Sequence, residues 1–438
     1  MTLSKAWLEA KNHQIDVWTE HLPAPVLIGR LNYNVESKAG YFEWSVEAQN
    51  ASLALSPFKL QLSSGVWTST TDPRPPQEYA GLPGMLNDAL PDGWGLYLMD
   101  KALIRLAIRQ EFISPALRLA YLGDRAWGAL KFRPVMEDAP DETMTLDRLG
   151  MEVEAIIEGH IEEVSNELLR AGSSPQGARP KVMVDLSDDG KTARVTGGVA
   201  REGFSSWLIK FAARDEPADA PIVEQAYMDI ARAAGLQVTD SKLMDINGRS
   251  AFATRRFDRT ADSRVFCHTL GGLLHYSHRG LGLDYAHLAE AMDDLSVQEA
   301  SYAQAYRRAV FNAALSVRDD HAKNFAFMLN PLNEWDLSPA YDLTYTEGPG
   351  GHHTMTFAAG TSRDPTREDL LRLASHYRVD ESEAARIIDE VQGVAADMGP
   401  QALGLGASKQ TVSAITNRLR TISNALGTIA YRKSRPGL

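Results

Sequence analysis

Cysteine is almost absent from the chain, because Cys267 is the only one among 438 residues. A single cysteine excludes an internal disulfide and any Cys-rich zinc or iron–sulfur site. No run of residues approaches the ~20 apolar residues of a membrane-spanning helix. Residues 1–10 are polar and amphipathic, without the continuous apolar core of a secretory signal. These absences predict a cytoplasmic protein with no membrane association.

Basic charge is also scarce: 45 Lys and Arg stand against 57 Asp and Glu, which gives a formal net charge of −12. A chain without a basic excess binds nucleic acid poorly in a non-specific way. We therefore expect DNA contact only indirectly, through a partner. The composition, 44% hydrophobic and 23% charged, is that of a globular protein. A chain of this length predicts roughly two to three domains.

The first part of the chain alternates apolar and polar residues and then changes period. Strand patterns cover 26–31, 40–46 and 59–62, a helical spacing covers 81–113, and a further strand covers 127–134. The following segment, 136–145, is acidic and poor in apolar residues. We place a domain boundary there, so that residues 1–145 form an amino-terminal β-rich domain.

The rest of the chain predicts a sheet followed by helices. A helix over 147–171 leads into a Gly/Ser loop, and from residue 284 the pattern is helical apart from 324–346. Between them we predict strands over 181–186, 191–196, 206–211 and 251–257, and a helix over 221–234. The predicted architecture is α+β, with a second domain over 146–260 and a helical third domain over 261–438.

The most informative motif is Arg318-Asp319-Asp320-His321-Ala322-Lys323-Asn324, with Asp342 eighteen residues after Asn324. Protein kinases use an Asp to orient the attacking hydroxyl, an Asn five residues later, and a second Asp beyond it to bind Mg²⁺. A predicted hairpin of strands 325–329 and 334–337 precedes Asp342. An isolated match to this spacing is more typical of a helix cap and a turn. The second aspartate at the right separation favours the kinase interpretation.

An upstream lysine and glutamate strengthen the same interpretation. Lys210 lies in an otherwise apolar predicted strand, which would place its ammonium group in a partly buried position. Glu224, near the start of the next predicted helix, would pair with it as the strand lysine and helix glutamate of kinases do. Taken alone, a strand lysine usually extends to solvent, and Glu224 is typical of a solvated acid in a first helical turn.

Several motifs occur together in this chain. They are Gly177-Ala178-Arg179-Pro180-Lys181, Lys210, Arg256-Phe257-Asp258-Arg259, Asp319-x-His321-x-Lys323-Asn324, Pro339-x-Tyr341-Asp342 and, in the amino-terminal part, Leu90-Pro91-Asp92-Gly93-Trp94-Gly95. The combination resembles the HipA family of toxin serine/threonine kinases. The resemblance implies a two-lobed, protein-kinase-like fold with an amino-terminal β-rich domain. One departure is Val317-Arg318, where many members have Asn-Thr, which changes the hydrogen bonding next to Asp319.

The resemblance also implies roles for individual residues. Asp319 would be the catalytic aspartate, Asn324 and Asp342 the Mg²⁺ ligands, and Glu224 and His321 supporting residues. The residues expected to bind ATP are Lys210, Phe257, Lys323, Gly177 and Lys181. For Phe257 and His321 a purely structural role is an open alternative, and Lys323 would otherwise be solvated.

The Gly/Ser loop, residues 172–177, has two functional interpretations. Backbone N–H groups of glycine-rich turns form anion-binding concavities, so the loop would cover the nucleotide phosphates. HipA-like kinases also resemble one another in a loop serine whose autophosphorylation ejects the loop. Ser174 aligns with that serine, and Ser173 is the second choice. Composition alone would favour a plain surface turn.

The functional hypothesis is an ATP- and Mg²⁺-dependent serine/threonine kinase that acts as the toxin of a toxin–antitoxin pair. The resemblance implies a small helix-turn-helix antitoxin similar to HipB and a target in translation, typically an aminoacyl-tRNA synthetase. One alternative is a non-catalytic scaffold that bridges DNA-bound antitoxin as a co-repressor. Another is a kinase of related fold that acts on a small molecule.

Overall fold

The computed structural model describes residues 3–136, 143–195, 197–277, 279–280, 282–358, 360 and 362–427. Two predictions therefore lie partly outside the described residues. They are the boundary segment 136–145, through its residues 137–142, and the strand 191–196, through its last residue. The chain divides into two compact units. Unit 1 comprises Met1–Ala218, Asp240–Ser277 and Ala326–Trp335, and unit 2 comprises Asp219–Thr239, His278–Phe325 and Asp336–Leu438. Within the described ranges, no helix combines the length and the apolar character that crossing a membrane requires.

The strands follow one another in chain order. They are β1 (Asn12–Thr19), β2 (Val26–Asn34), β3 (Ala39–Trp44), β4 (Val66–Thr68), β5 (Leu130–Arg133), β6 (Thr143–Thr145), β7 (Lys181–Ser187), β8 (Thr192–Arg194), β9 (Phe204–Phe211), β10 (Ser241–Ile246), β11 (Arg249–Arg255), β12 (Phe266–Thr269), β13 (Ala326–Leu329) and β14 (Trp335–Leu337).

The α-helices are α1 (Lys5–Leu8), α2 (Val46–Asn50), α3 (Gly84–Ala89), α4 (Gly93–Arg105), α5 (Pro115–Leu122), α6 (Leu146–Glu158), α7 (Asn166–Gly172), α8 (Ala220–Ala233), α9 (Leu270–Leu274), α10 (Tyr285–Leu295), α11 (Glu299–Leu315), α12 (Arg367–Ala374), α13 (Glu381–Ala395), α14 (Met398–Gly404) and α15 (Lys409–Leu426).

The first sheet of unit 1 has the antiparallel order β4-β3-β2-β1-β5. Its strands alternate buried and exposed residues, as in β3, because one face packs on the core and the other meets water. The prediction for β2 and β3 is confirmed, whereas β1 was not predicted. The predicted strand 59–62 is wrong, because these residues form turns and β4 follows at Val66.

The helix predicted over 81–113 is divided into α3 and α4. The break falls at Leu90, which is extended (φ −83°, ψ 145°), and Pro91 and Asp92 follow it. Proline disfavours helical geometry in the residue before it, which explains the break. The helix predicted over 147–171 is divided too, because Gly159 ends α6 with a positive φ of 98°.

The second sheet of unit 1 has the order β10-β11-β9-β7-β8-β6. The predicted positions of β7, β9 and β11 are confirmed within two residues at each end. Strand β9 runs between β7 and β11, so its inner residues pair on both sides. A third sheet has the order β12-β13-β14.

A buried ionic cluster joins the 124–130 segment to residues 256–264 within unit 1. Asp258 accepts the Gly128 N–H at 2.8 Å and is bound by the guanidinium groups of Arg256 and Arg259. Arg264 donates to the Gly128 carbonyl at 2.8 Å. Burial alone would raise the pKa of Asp258, but the charges of Arg256 and Arg259 outweigh it and hold that pKa well below its usual range.

Unit 2 is mainly helical, as predicted. Its central helix α11 is buried along most of its length, and Tyr227 of α8 donates to the Leu315 carbonyl at 2.7 Å. The predicted interruption 324–346 is longer in the structure, since α12 begins only at Arg367. A capping box of Thr366 and Asp369 fixes that start.

Candidate active site

The predicted nucleotide-binding lysines lie opposite each other in the second sheet. Lys181 of β7 pairs in register with Lys210 of β9, which in turn pairs with Phe252 of β11. The lysine residues are 4% and 5% exposed. The Lys210 Nζ lies 5.8 Å from the Phe252 ring centroid. The Lys181 Nζ donates to the Gln176 carbonyl at 2.8 Å, which ties this side chain to the Gly/Ser loop.

The Gly/Ser loop is not a surface turn. Ser173 follows the last residue of α7 and donates its Oγ hydrogen to the Arg170 carbonyl at 3.1 Å. Ser173 is fully buried and Ser174 is 4% exposed. Gly177 has a φ of 101°, a conformation that side-chain-bearing residues rarely adopt. Neither serine hydroxyl can meet a phosphate donor until the loop moves.

The structure gives Phe257 a packing contact. Its ring meets Trp127 edge to face, with 6.3 Å between the centroids and an interplanar angle of 89°. The residues around it, Arg256, Asp258 and Arg259, belong to the buried ionic cluster. The predicted role of Phe257 in ATP binding stays a prediction.

The predicted catalytic loop lies in unit 2 and places Asp319 between two buried neighbours. The Asp319 side chain is 61% exposed, whereas those of Arg318 and Asp320 are 5% and 0% exposed. The Asn324 amide nitrogen donates to the Asp319 carbonyl at 2.6 Å, which closes the loop around the short 3₁₀ turn Ala322–Asn324. The Asp319 carboxylate thus lies at the surface of a loop that is closed by its own hydrogen bond.

Asp320 anchors this loop from the buried side. One of its oxygens accepts hydrogen bonds from the Tyr285 hydroxyl and His353 Nδ1, both at 2.8 Å, and the other accepts the Thr354 N–H at 2.7 Å. Asn312 of α11 donates to the Tyr285 hydroxyl oxygen at 2.8 Å. Burial, and then the Asp320 charge, raise the pKa of Tyr285 well above its ordinary value. Sequence reasoning missed this network, because its members extend from Tyr285 to Thr354 along the chain.

Arg318 is a second buried anchor of the loop. Its guanidinium group donates to the backbone carbonyls of Gly351 and Arg363 and to the Asp364 carboxylate at 3.0 Å. Arg418 of α15 donates to the same Asp364 oxygen. The Val317-Arg318 departure thus has a structural consequence: Arg318 fastens the segment that follows Asp342 to the catalytic loop.

Arg308 of α11 links the predicted catalytic and metal-binding loops within unit 2. It is 2% exposed and donates to the carbonyls of Asn324 and Tyr341, the residue before Asp342. Its guanidinium group also lies 4.5 Å from the Phe325 ring centroid. Asp342 itself has a φ of 56°, a left-handed conformation in which residues other than glycine are uncommon. Such conformations cluster at functional sites.

The two predicted supporting residues, His321 and Glu224, and the predicted ATP-binding residue Lys323 occupy three different positions. The His321 Nε2 lies 3.9 Å from an Asp319 carboxylate oxygen. Lys323 is 7% exposed, and its carbonyl accepts the Tyr341 hydroxyl hydrogen at 2.7 Å. Glu224 is 2% exposed on α8 of unit 2, while Lys210 belongs to unit 1. The predicted Lys210–Glu224 pair stays a prediction.

The two predicted metal ligands carry oxygen donors of the type that Mg²⁺ binds. Among the described residues, no group of three or more His, Cys, Asp or Glu side chains could hold a metal ion. Mg²⁺ does not need such a cage, because it usually binds one or two protein oxygens together with substrate phosphates and water. The Asp342 carboxylate and the Asn324 amide oxygen are ligands of that hard type.

Two family models match the chain. The HipA N-terminal domain model matches residues 15–133, and the HipA-like C-terminal domain model matches residues 173–398. A curated protein of Sinorhizobium fredii named "Putative kinase Y4dM" is 27% identical over 285 residues, covering 60% of this chain. The chain spans 62% of the length of that relative.

Two solved structures are similar to the chain to different degrees. HipA in the toxin–antitoxin complex of Shewanella oneidensis HipA, HipB and operator DNA matches with a TM-score of 0.63 and 17% identity. The match covers 92% of this chain and 95% of that chain. The Helicobacter pylori proinflammatory kinase CtkA has a TM-score of 0.37 and 12% identity, over 52% of this chain and 86% of that chain.

The TM-score of 0.63 confirms the predicted α+β, HipA-like fold. The C-terminal domain model alone covers more than half of the chain, and the N-terminal domain model matches most of the region before it. The protein therefore belongs to the HipA family.

Proposed function

We propose that the protein is an ATP-dependent serine/threonine protein kinase that acts as the toxin of a toxin–antitoxin module. One observation carries the proposal: the catalytic loop exposes Asp319 while Arg318 and Asp320 hold it in place from the buried side. The name of the Sinorhizobium fredii relative, which describes a kinase, supports phosphoryl transfer. The toxin–antitoxin complex that contains Shewanella HipA supports the biological role.

In this proposal each site residue has one task. Asp319 accepts a hydrogen bond from the attacking hydroxyl and orients it, and Asn324 and Asp342 hold Mg²⁺ through oxygen atoms. When bound, Mg²⁺ neutralises charge on the ATP phosphates. Lys210, Lys181, Lys323, Gly177 and Phe257 bind the nucleotide, while Glu224 and His321 support the residues next to them.

The proposal includes autophosphorylation of the Gly/Ser loop, with Ser174 as first choice and Ser173 as the reserve. A phosphoserine adds about −1.5 to −2 charges. Such a charge cannot stay in positions as buried as those of Ser173 and Ser174 without partners, because burial of an isolated ion is very unfavourable. The phosphorylated loop would therefore leave its folded-in position.

The proposed partners follow from the relatives. A helix-turn-helix antitoxin similar to HipB would bind the protein and would make any contact with DNA. The protein substrate would belong to translation, and an aminoacyl-tRNA synthetase is the proposed example. The proposal places the protein in the cytoplasm. The division into domains over 1–145, 146–260 and 261–438 stays a prediction.

The co-repressor scaffold is the second candidate, favoured by the complex of Shewanella HipA with HipB and operator DNA. A scaffold has no need of phosphoryl transfer. An Asp319→Asn variant would then repress the operator with its antitoxin as well as the parent and would show the same growth effect. In a toxin kinase, the same variant would lose the growth effect. A kinase for small molecules would transfer phosphate to metabolites and not to protein.

The direct test is transfer of label from γ-labelled ATP to protein by the parent, Asp319→Asn and Asp342→Asn. We expect both variants to lose about 10²- to 10⁴-fold in rate. Binding of ATP with Mg²⁺ should weaken in Asp342→Asn and survive in Asp319→Asn, because only Asp342 is a proposed metal ligand. Asp294→Asn, which changes an exposed carboxylate on α10, is the matched control. Equal transfer by parent and Asp319→Asn would disprove the catalytic role of Asp319, and absence of transfer by the parent would disprove the kinase assignment.

A further inference from the structure

The motif Leu90-Pro91-Asp92-Gly93-Trp94-Gly95 contacts the Gly/Ser loop directly, and both belong to unit 1. The Trp94 N–H donates to the Gly177 carbonyl at 3.2 Å. The Trp94 indole N–H donates to the Lys181 carbonyl at 3.0 Å, just beyond the loop. Together these bonds hold the loop at its far end. We call residues 92–95 the docking segment.

The Asp92 side chain makes a hydrogen bond to the loop and not to the helix that it precedes. It occupies the N-cap position of α4, where an aspartate normally accepts a backbone N–H of the first helical turn. Its side chain makes no such capping bond and instead accepts the Gly177 N–H. A charged acceptor makes a stronger hydrogen bond than a neutral one, so this contact gives the loop a firm attachment.

The fit between the docking segment and the loop depends on glycine residues, which have no Cβ atom. A Cβ atom on Gly95 would lie 2.4 Å from the Pro175 carbonyl oxygen, and one on Gly93 would lie 2.8 Å from the Ala178 Cα. From the loop side, a Cβ on Gly172 would lie 2.3 Å from a methyl carbon of Leu98 in α4. Gly93 and Gly95 thus let two backbone segments approach closely, which explains the glycines of the motif.

We propose that the docking segment holds the Gly/Ser loop in its folded-in position and so positions the loop for ATP. A further bond supports this assignment, since Gln176 donates to the Asp88 carbonyl at 2.6 Å, just ahead of the segment. The proposal rests on the proposed function only in the claim that the loop binds ATP phosphates. The docking itself is a property of this chain with or without nucleotide.

Docking also decides access to the loop serines. Ser173 and Ser174 are buried while the loop is docked. Release of the loop from Asp92 and Trp94 exposes both hydroxyls and removes the proposed phosphate cover at the same time. The docking segment therefore sets the equilibrium between a docked loop, which binds nucleotide, and a released loop, whose serines are open to phosphorylation.

Gly95→Ala tests the proposal with a substitution that should favour its own helix. Alanine is the best helix former and Gly95 lies in α4, so loss of helix is not expected. The added methyl group would push the Pro175 carbonyl away. Gly393→Ala is the matched control, because Gly393 lies in helix α13 with open space around its Cα.

The readout is hydrogen exchange of the loop amides, Gly177 included, measured by mass spectrometry without nucleotide. We expect exchange to be at least about tenfold faster in Gly95→Ala, since the loop loses a charge-assisted bond and its close fit. Gly393→Ala should match the parent. Equal exchange in all three proteins would overturn the proposal.

Kinetics separates positioning from general stability. We expect Gly95→Ala to raise the KM for ATP by about tenfold with kcat changed less than about twofold, because saturating nucleotide brings the loop back. Trp94→Phe keeps an aromatic ring of smaller size and removes the indole N–H donor, so it should shift exchange and KM in the same direction by a smaller factor. If Gly95→Ala does not fold, Trp94→Phe carries the test. If Gly95→Ala showed faster loop exchange than a parent that had no kinase activity, the proposed function would be refuted and the docking would be upheld.

Discussion

Arg318→Thr is the sharpest test of how the catalytic loop is held, because it restores the threonine that many family members carry. The parent guanidinium group binds three backbone carbonyls, those of Glu347, Gly351 and Arg363, and the Asp364 carboxylate. A hydrogen bond that involves a charged group contributes about 1.5–3 kcal/mol. Asp364 is 38% exposed and keeps Arg418, which reduces the net loss. We expect the local opening of the segment 347–358 to become easier by about 2–3 kcal/mol.

Hydrogen exchange of that segment measures the effect. A loss of about 2–3 kcal/mol corresponds to exchange about 30- to 150-fold faster, because each 1.4 kcal/mol is a factor of ten. We expect kcat to fall about tenfold while binding of ATP with Mg²⁺ is largely kept, since Asn324 and Asp342 are unchanged.

The matched control is Arg378→Thr. Arg378 also contacts two carboxylates, those of Asp293 and Glu299, but its side chain is 49% exposed. Exposed pairs contribute only about 0–1 kcal/mol, so exchange of the segment 347–358 should equal that of the parent. If Arg318→Thr and Arg378→Thr gave the same exchange and the same kcat as the parent, Arg318 would not hold the catalytic loop.

Three further outcomes are expected. Asp320→Asn should lower Tm and cut kcat about 10²-fold, with Asp319 unchanged, because a buried amide nitrogen would face N–H or O–H donors; unchanged kcat would contradict the anchoring role. His275 accepts the Gly84 N–H, and burial lowers its pKa to about 4. The unfolded chain therefore binds a proton at His275 below about pH 6.5, whereas the folded chain binds it only near pH 4. As the pH is lowered through this window, the free energy of unfolding measured with urea should fall by at most about 3 kcal/mol. The fall should be smaller in His275→Gln. Arg308→Lys keeps the charge but loses the two-pronged donor, and should weaken binding of ATP with Mg²⁺ several-fold in a titration; equal affinity would refute the link between the two loops.

Local patterns predicted those parts of the fold in which neighbouring residues decide the structure. Strands β7 and β9 and helix α8 fall where the sequence placed them, because their apolar periodicity is read within a few residues. The two long helices were predicted without breaks, although Pro91 and Gly159 were visible in the sequence. Periodicity continued across both positions and hid the local backbone preference.

The anchors of the candidate site could not be predicted in this way. Arg318 and Asp364 are 46 positions apart, and Asp320 and His353 are 33 positions apart. No periodic signal links such residues, since only the folded chain brings them together. Burial of the Gly/Ser loop was missed for the same reason, because the docking segment lies about 80 positions earlier. The composition of a segment predicts that it forms a loop, but it does not predict which other segments pack against that loop.

The buried cluster around Asp258 has a consequence for work with fragments of this chain. A fragment limited to residues 173–398 would keep Asp258 and its arginines but lose the Gly128 N–H and the carbonyls of residues 124–130. Arg264, which donates to four of those carbonyls, would then face water or another molecule. Such a fragment should be poorly soluble when produced alone, and adding residues 1–136 as a separate chain should recover it. The amino-terminal part is in this sense a structural subunit of residues 173–398 that happens to share their chain.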